Sequence, residues 1–571
     1  MSGRVPPAGT TRALAALTRL EALRHEFGSA TLAREKRASL TRLARAKLPS
    51  AADVLRLHEL LVFMRAYPDS EGIRSLTERL LRGFAHRRDL GAHRAALADS
   101  GIAGTDIHFR FFAETARWLA GRHPMQLCYD WDEWEDVTRL EEMLPLLAVH
   151  GETPGLDEYD LGLRGWLDRM RGDVGDAAWA TTRLAARVED PLLFERLHDG
   201  IDAPMKLASA PGTPSRTLGR WPGGRIAAQR TPLRRERPEL REELARPPRS
   251  VMALSVIEGQ RMVDLARETM VTRSRDLDAF AYADPRDVRW VDCGDGLALA
   301  CMGVQPERRL LLESVYGMLT LKNGVPIGYV LTSALFGSAE IAYNVFDTFR
   351  GAEAGAVYGR VLSTTRFLFG VDSFTIYPYQ LGGAGNHEGL ASGAWWFYRK
   401  LGFEPRARSA RTQMHREETR MARDPAHRSS PRTLAMLGEH NVYWHLGEVR
   451  EDVIGSLPLA NLGLAITDLL AKRFARDGNR GAATCIAEAR ERLGGGPTVN
   501  WSPQERQAFE RWAPLVLLLR GMGRWTPADR RALVAVIRAK GGARESDFVR
   551  RFDAHARLRS ALTALATDFR A

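Results

Sequence analysis

The feature that most constrains this chain is a dipeptide. Asn323-Gly324 separates two apolar runs, Tyr316 to Lys322 and Val325 to Ser333. A two-residue hairpin turn that matches the twist of its strands needs positive φ at both turn positions, and Asn-Gly supplies this at little steric cost. The flanking runs therefore read as paired strands. A third run, Glu340 to Phe346, alternates Ile341, Tyr343 and Val345 on one face, as a strand does. Helical spacing follows, with Val357, Val361, Leu362, Thr365 and Leu368 on one side. Next come a strand, Ser373 to Tyr377, and a second helix with Leu390, Ala394, Phe397 and Leu401 in line. Gly402 is placed to end that helix in the left-handed conformation, and Phe403 to pack back on its last turn. The order predicts an α/β (α+β) unit, a mixed twisted sheet with flanking helices.

The regions on either side read as all-helical. Val54, Leu55, Leu57, Leu60, Leu61 and Met64 recur at helical spacing before Pro68, and Phe111, Phe112, Ala116 and Leu119 repeat the pattern. The acidic, aromatic stretch Asp130 to Asp136 reads as the first turn of an amphipathic helix, with acids near the positive end of the dipole and Trp facing the core. Beyond Arg423, Ser502-Pro503-Gln504-Glu505 and Thr526-Pro527-Ala528-Asp529 are helix starts with a hydroxyl cap, an early Pro and an acid at the third position. Between Lys206 and Ser250, Pro-Gly breaks interrupt an Arg-rich segment that reads as a connector. The expected organisation is a helical domain (1–205), a linker (206–250), an α/β domain (251–423) and a C-terminal helical domain (424–571).

The 571 residues carry a net charge of +12, and arginine dominates the bases. A solvated basic surface is favoured over nucleic-acid binding, because the Arg-rich run Arg234-Arg235-Glu236-Arg237 contains an acid and no interleaved aromatics. The four cysteines form no Cys-x-x-Cys pair, so neither a metal site nor a disulfide framework is expected, and a reducing cytoplasm fits best. Charges run through the N-terminal segment where a secretory core would lie. No apolar run approaches the ~20 residues of a membrane helix, so no membrane partner is expected.

Two segments carry a family resemblance. Asn323-Gly324-Val325-Pro326-Ile327-Gly328-Tyr329-Val330 resembles the central hairpin of GNAT N-acetyltransferases. Ala394-Trp395-Trp396-Phe397-Tyr398-Arg399-Lys400-Leu401-Gly402-Phe403-Glu404 resembles that family's late helix, whose ending reads Tyr-x-Lys-Leu-Gly-Phe. The resemblance covers about a third of the chain. It implies acetyl-coenzyme A or another acyl-coenzyme A as co-substrate and an amine acceptor, with a protein or peptide among the candidates.

The resemblance also assigns roles. The pantetheine arm would pair with backbone around Val345 and Phe346, where one strand splays from its neighbour. Arg350, Gly351, Ala354 and Gly355 stand where the family binds the pyrophosphate, on amides at a helix start. Glu353 departs from the pattern, standing where the loop usually has its middle glycine. A carboxylate beside a phosphate repels it by about 4 kcal/mol per charge pair near a protein surface. Either the register slips by one, or Glu353 points outward, or the cofactor binds weakly, differently or not at all. Tyr398 matches the general-acid tyrosine. Glu340 stands where the family often keeps its base, with Glu313 as a second candidate. The Gly-rich stretch before the late helix offers Gly385 and Asn386 to the acceptor substrate, and His387 and Glu388 as further bases. The family's closing pair of strands is missing, rearranged or interrupted, because Arg411 to Arg423 looks helical and the next strand-like run is Asn441 to Leu446.

Three functions remain open: an acyl-coenzyme A-dependent N-acyltransferase, a non-catalytic scaffold with the same fold, and an aminoacyl transferase using charged transfer RNA. Glu353 and the altered closing strands favour the scaffold. The basic charge permits the third.

Overall fold

Asn323 and Gly324 both adopt positive φ, 52° and 79°, and join two long strands. These are β7 (Ser314–Lys322) and β8 (Val325–Leu335) of a mixed nine-stranded sheet. The computed structural model describes residues 8–224, 226–475, 477–495 and 500–568. Its contacts divide the chain into two compact units. The first comprises Met1–Leu233, Arg261–Tyr282 and Lys322–Pro326; the second comprises Arg234–Gln260, Ala283–Leu321 and Ile327–Ala571. No helix among the described residues is long and apolar enough to cross a membrane.

The first unit is not all-helical. Three short strands, β1 (Ile107–Phe109), β2 (Leu127–Tyr129) and β3 (Met205–Leu207), form an antiparallel sheet in the order β1-β3-β2. Ile107, Leu127, Met205 and Leu207 bury their side chains in its core. Strands of three residues carry too little alternation to stand out in the sequence. The helix Ala51–Ala66 forms as its apolar spacing predicts, capped by Ser50. The helix after Phe111 begins at Ala113, leaving Phe112 outside it and 51% exposed. Residues 130–136 are irregular rather than a helical turn, and the next helix starts at Thr138. Asp176 Oδ2 accepts from the Trp131 indole at 2.7 Å, and Trp134 is buried against Tyr129. Asp176 Oδ1 also accepts from the Tyr129 N–H at 2.7 Å, so Asp176 anchors the stretch by tertiary bonds.

In the second unit the sheet order is β11-β12-β10-β9-β8-β7-β6-β5-β4. The remaining strands are β4 (Ser250–Ala253), β5 (Ala283–Gly294), β6 (Leu297–Val304), β9 (Ser338–Val345), β10 (Ser373–Ile376), β11 (Glu404–Pro405) and β12 (Val442–His445). Strands β9 and β10 run parallel, joined by the helix Ala354–Phe369; β10 and β12 run antiparallel. Strands β11 and β12 lie at this edge of the sheet. Glu404 pairs with Tyr443 and Pro405 with Val442, and the helices Arg408–Arg423 and Pro431–Gly438 are inserted between them. The late helix is two pieces, His387–Ser392 and Ala394–Arg399, broken at Gly393 with φ 65°.

The expected linker does not stand apart. Its first part, to Leu233, belongs to the first unit and its remainder to the second. The short helix Leu240–Ala245 packs on Ala354–Phe369, where a Cβ at Gly359 would come within 3.3 Å of Pro238 and Glu243 atoms. Arg360 donates to the Arg246 and Pro247 carbonyls at 2.8 and 3.0 Å. A Pro-Pro segment lacks amides of its own, and the Arg fork satisfies its carbonyls instead. Nor do the last helices form a separate domain. Glu545 N–H donates to Asp287 Oδ2 at 3.1 Å and Ser546 N–H to the Tyr316 hydroxyl at 2.8 Å, fastening them to β5 and β7 within the same unit.

Candidate active site

Strands β9 and β10 pair over only three residues: Ser338 with Ser373, Ala339 with Phe374, and Glu340 with Thr375. Strand β9 then continues to Val345 along β8, whereas β10 ends at Ile376. Pro378 follows, without an N–H to extend a ladder, and the chain turns into a short 3-10 helix. The two strands therefore part beyond Glu340. Burial follows the parting: Ser338, Ala339 and Ile341 are buried, while Ala342 through Val345 are half-buried. Phe346 N–H donates to Ile327 on β8 at 3.0 Å. Backbone polar groups alternate in direction along an antiparallel ladder, so the amides of Tyr343 and Val345 face away from β8, into the parting. Phe346 itself is buried, its ring 6.0 Å from that of Tyr329.

Side chains alternate as well, giving the fork two chemically distinct faces. Glu340 sits on one, at the last paired position. Burial, reinforced by the neighbouring Glu313 carboxylate, pushes its acid up to about 7. Burial likewise raises Glu313, partly offset by Lys540. Burial and then these two carboxylates hold the Tyr377 phenol above its ordinary value. The segment Val453–Leu457 crosses the same face. Ile454 N–H donates to Ser338 Oγ at 2.9 Å and the Ile454 carbonyl accepts from Thr375 Oγ1 at 2.8 Å. The Gly455 carbonyl accepts from Asn441 Nδ2 at 2.9 Å and from the Tyr443 hydroxyl at 2.8 Å. A half-buried carboxylate whose acid is raised toward neutrality suits a general base.

Tyr398 lies toward the opposite face, on Ala394–Arg399, and is 3% exposed. Burial raises its phenol above the ordinary value. Phe403 N–H donates to the Tyr398 carbonyl at 3.2 Å, and their rings lie 5.8 Å apart, so the Gly402 turn folds Phe403 back as expected. Tyr358, on Ala354–Phe369, has its ring 5.6 Å from Tyr398 and 5.3 Å from Tyr343. Tyr343 in turn donates its hydroxyl to the Ala354 carbonyl at 3.2 Å. Three tyrosines thus run from the parted strand to the late helix.

The loop at Arg350–Gly355 turns into the N-terminus of Ala354–Phe369. Gly351 takes φ 78° with nothing within 4 Å of where a Cβ would stand. The first amides of the helix are left over by its ladder, and no side chain caps them. Glu353 occupies the N-cap position, and its carboxylate accepts from the Arg234 N–H at 3.2 Å. Gly355 faces the same arm, a Cβ there lying 3.5 Å from Pro238 Cδ. Arg350 is paired with Asp347 at 2.8 Å and with Glu388.

Glu388 and His387 are exposed at the start of the short helix His387–Ser392, with Glu388 held by Arg350. Asn386 caps that helix: its Oδ1 accepts from Gly389 N–H at 3.0 Å and its Nδ2 donates to the Tyr379 carbonyl at 2.7 Å. Gly385, with φ 80°, makes the preceding turn. The structure therefore gathers Glu340, Glu313, Tyr343, Val345 and Tyr398 around the fork. It leaves Glu388 paired with Arg350, Asn386 capping the short helix and His387 exposed beside them. Sequence reasoning passed over Tyr358, Tyr377 and Tyr443. Only the helical phase of Tyr358, one residue beyond the counted core position Val357, hinted at the first. Among the described residues no cluster of His, Cys, Asp and Glu could hold a metal ion. No family model, curated protein or solved structure matches this chain.

Proposed function

We propose that the second unit is an acyl-coenzyme A-dependent N-acyltransferase of the GNAT type, moving an acetyl or other acyl group to an amine of a protein or peptide acceptor. The observation that carries this reading is the fork: a parallel strand pair that parts after three residues, with a raised carboxylate on one face and a tyrosine toward the other. The strand order, with its parallel pair bridged by a helix and a closing antiparallel strand, supports the same family.

The residues present fit such a co-substrate. Tyr343 and Val345 offer amides to a pantetheine arm and to the thioester carbonyl, where donors stabilise developing negative charge. The uncapped amides of Ala354–Phe369 offer a pyrophosphate site, with Arg350 beside it. Glu353 turns its carboxylate to the Arg234 amide, which removes part of the expected conflict. Glu340 takes the proton from the attacking amine, and Tyr398 gives one to the departing sulfur.

Thermal unfolding with acetyl-coenzyme A tests the reading. At about 100 times Kd, ligand should add about 2.7 kcal/mol of stability. Absence of any shift at millimolar ligand, in wild type and Glu353→Gly alike, would leave the scaffold reading, and salt-dependent binding of transfer RNA would single out the aminoacyl transferase.

A further inference from the structure

The bases around the proposed co-substrate site fall into two groups. Most are paired with acids. Arg234 meets Asp295 at 3.1 Å, Arg350 meets Asp347 at 2.8 Å, and Arg399 meets Glu418 at 2.8 Å and Glu404 at 3.2 Å. Arg237, Lys400 and Arg428 pair with no carboxylate among the described residues.

These three bases gather at one corner. Arg237 lies on the arm beside the start of the helix Ala354–Phe369, its Cα 4.0 Å from where a Cβ would stand on Gly355. The late helix packs on the same helix through Phe397, whose ring is 5.6 Å from that of Tyr358. It ends at Lys400, whose N–H donates to the Trp396 carbonyl at 3.1 Å. Trp396 also ties Arg428 to this corner, since its indole donates to Ser429 Oγ at 3.1 Å. One Arg428 nitrogen donates to the Pro425 and His427 carbonyls at 2.9 and 2.8 Å. All three residues reach solvent. Partial burial, then the charges of Arg237 and Arg428, hold the Lys400 ammonium below its ordinary value, and no carboxylate works against them.

Like charges gathered without a counter-charge repel one another, and a bound anion removes that repulsion. The neighbouring helix start, with its uncapped amides and Arg350, already offers one anion site. The three bases make a second beside it. Coenzyme A carries phosphate in two places, a pyrophosphate on the ribose 5′ carbon and a single phosphate on the 3′ carbon. The single phosphate holds nearly two negative charges at neutral pH and three acceptor oxygens, enough for several cationic donors at once.

We infer that Arg237, Lys400 and Arg428 hold the 3′-phosphate of the coenzyme A ribose, so that the protein distinguishes coenzyme A from its dephospho form. The inference rests on the acyltransferase reading and gives it a specificity. A base paired with an acid, such as Arg399, could not serve as well, because its counter-charge would meet the phosphate too.

The test is calorimetric titration of the full chain with acetyl-coenzyme A and with acetyl-dephospho-coenzyme A. Wild type should bind acetyl-coenzyme A about tenfold more tightly or better, the scale of hydrogen bonds to a charged group. The double variant Arg237→Ala, Lys400→Ala should lose most of that preference by weakening acetyl-coenzyme A, with the dephospho ligand bound as in wild type. Lys400→Arg, which keeps the charge, should keep the preference. Equal affinity of wild type for both ligands overturns the inference and leaves a solvated basic face, while the acyltransferase reading stands. A preference that survives the double variant, or an equal loss for both ligands, also overturns it. A wild-type chain that binds neither ligand overturns both.

Discussion

Strand β9 has two neighbours and treats them differently. Along β8 it pairs over eight residues, from Ser338 opposite Leu335 to Val345 opposite Gly328. Along β10 it pairs over three. The first flank shares a two-residue turn at Phe336-Gly337, which keeps the strands in register to the end. The second flank is reached through a sixteen-residue helix and ends before a proline, so among the described residues no strand pairing continues beyond Ile376. The ladder along β8 runs the whole length of β9, whereas the ladder along β10 stops at Glu340, so the two edges hold the strand unequally.

The contrast can be broken at several strengths. The largest effect falls on the carboxylate at the branching point. Glu340→Gln should reduce kcat by about 10²–10⁴-fold, the usual contribution of a general base, measured by steady-state turnover. Smaller effects should separate the two edges. Asn344→Pro removes an amide facing β8 and should cost about 1–3 kcal/mol of stability, from the lost ladder bond and the carbonyl left unpaired. Val345→Pro removes one facing the fork and should cost far less in denaturant unfolding, while weakening acetyl-coenzyme A binding about tenfold by calorimetry. Equal destabilisation by both would erase the distinction.

A third effect is a pH dependence of stability. Glu340 titrates near 4.5 when unfolded and at about 7 when folded. The native state then holds a proton that the unfolded chain releases. Stability should be full below pH 4.5 and decline as pH rises through 7, by at most about 3 kcal/mol, less as solvent screens the half-buried group. Glu340→Gln should flatten this slope in urea titrations. The smallest effect belongs to Glu353. With its carboxylate engaged by the Arg234 amide, Glu353→Gln should tighten acetyl-coenzyme A by no more than about 1 kcal/mol, less than tenfold.

Much of the fork was readable from sequence because its parts are local. Asn323-Gly324, the alternation through Val345 and the Gly402 turn each depend on residues within a few positions. The Phe336-Gly337 turn was not readable, since a buried phenylalanine at φ 52° runs against turn chemistry and is held by packing. The direction of Glu353 was left open because it depends on the Arg234 amide, far off in the chain. The packing of the connector has the same distant origin: Gly359 and Arg360, which hold it, lie more than a hundred residues later. The closing strands were obscured by the two helices between them, and β11 has only two residues. Tyr358 escaped notice because its contacts with Tyr343 and Tyr398 come from three-dimensional surroundings and leave no periodic trace.

The insertion between β11 and β12 also sets an order of assembly. Strand β10 has its outer neighbour in β12, which the ribosome delivers only after both inserted helices have emerged. Until then a nascent chain carries β10 with one side bare, open to foreign strands. Chains cut between Arg423 and Val442 should therefore aggregate, whereas trimming or exchanging the inserted helices, with β12 retained, should leave the sheet able to close.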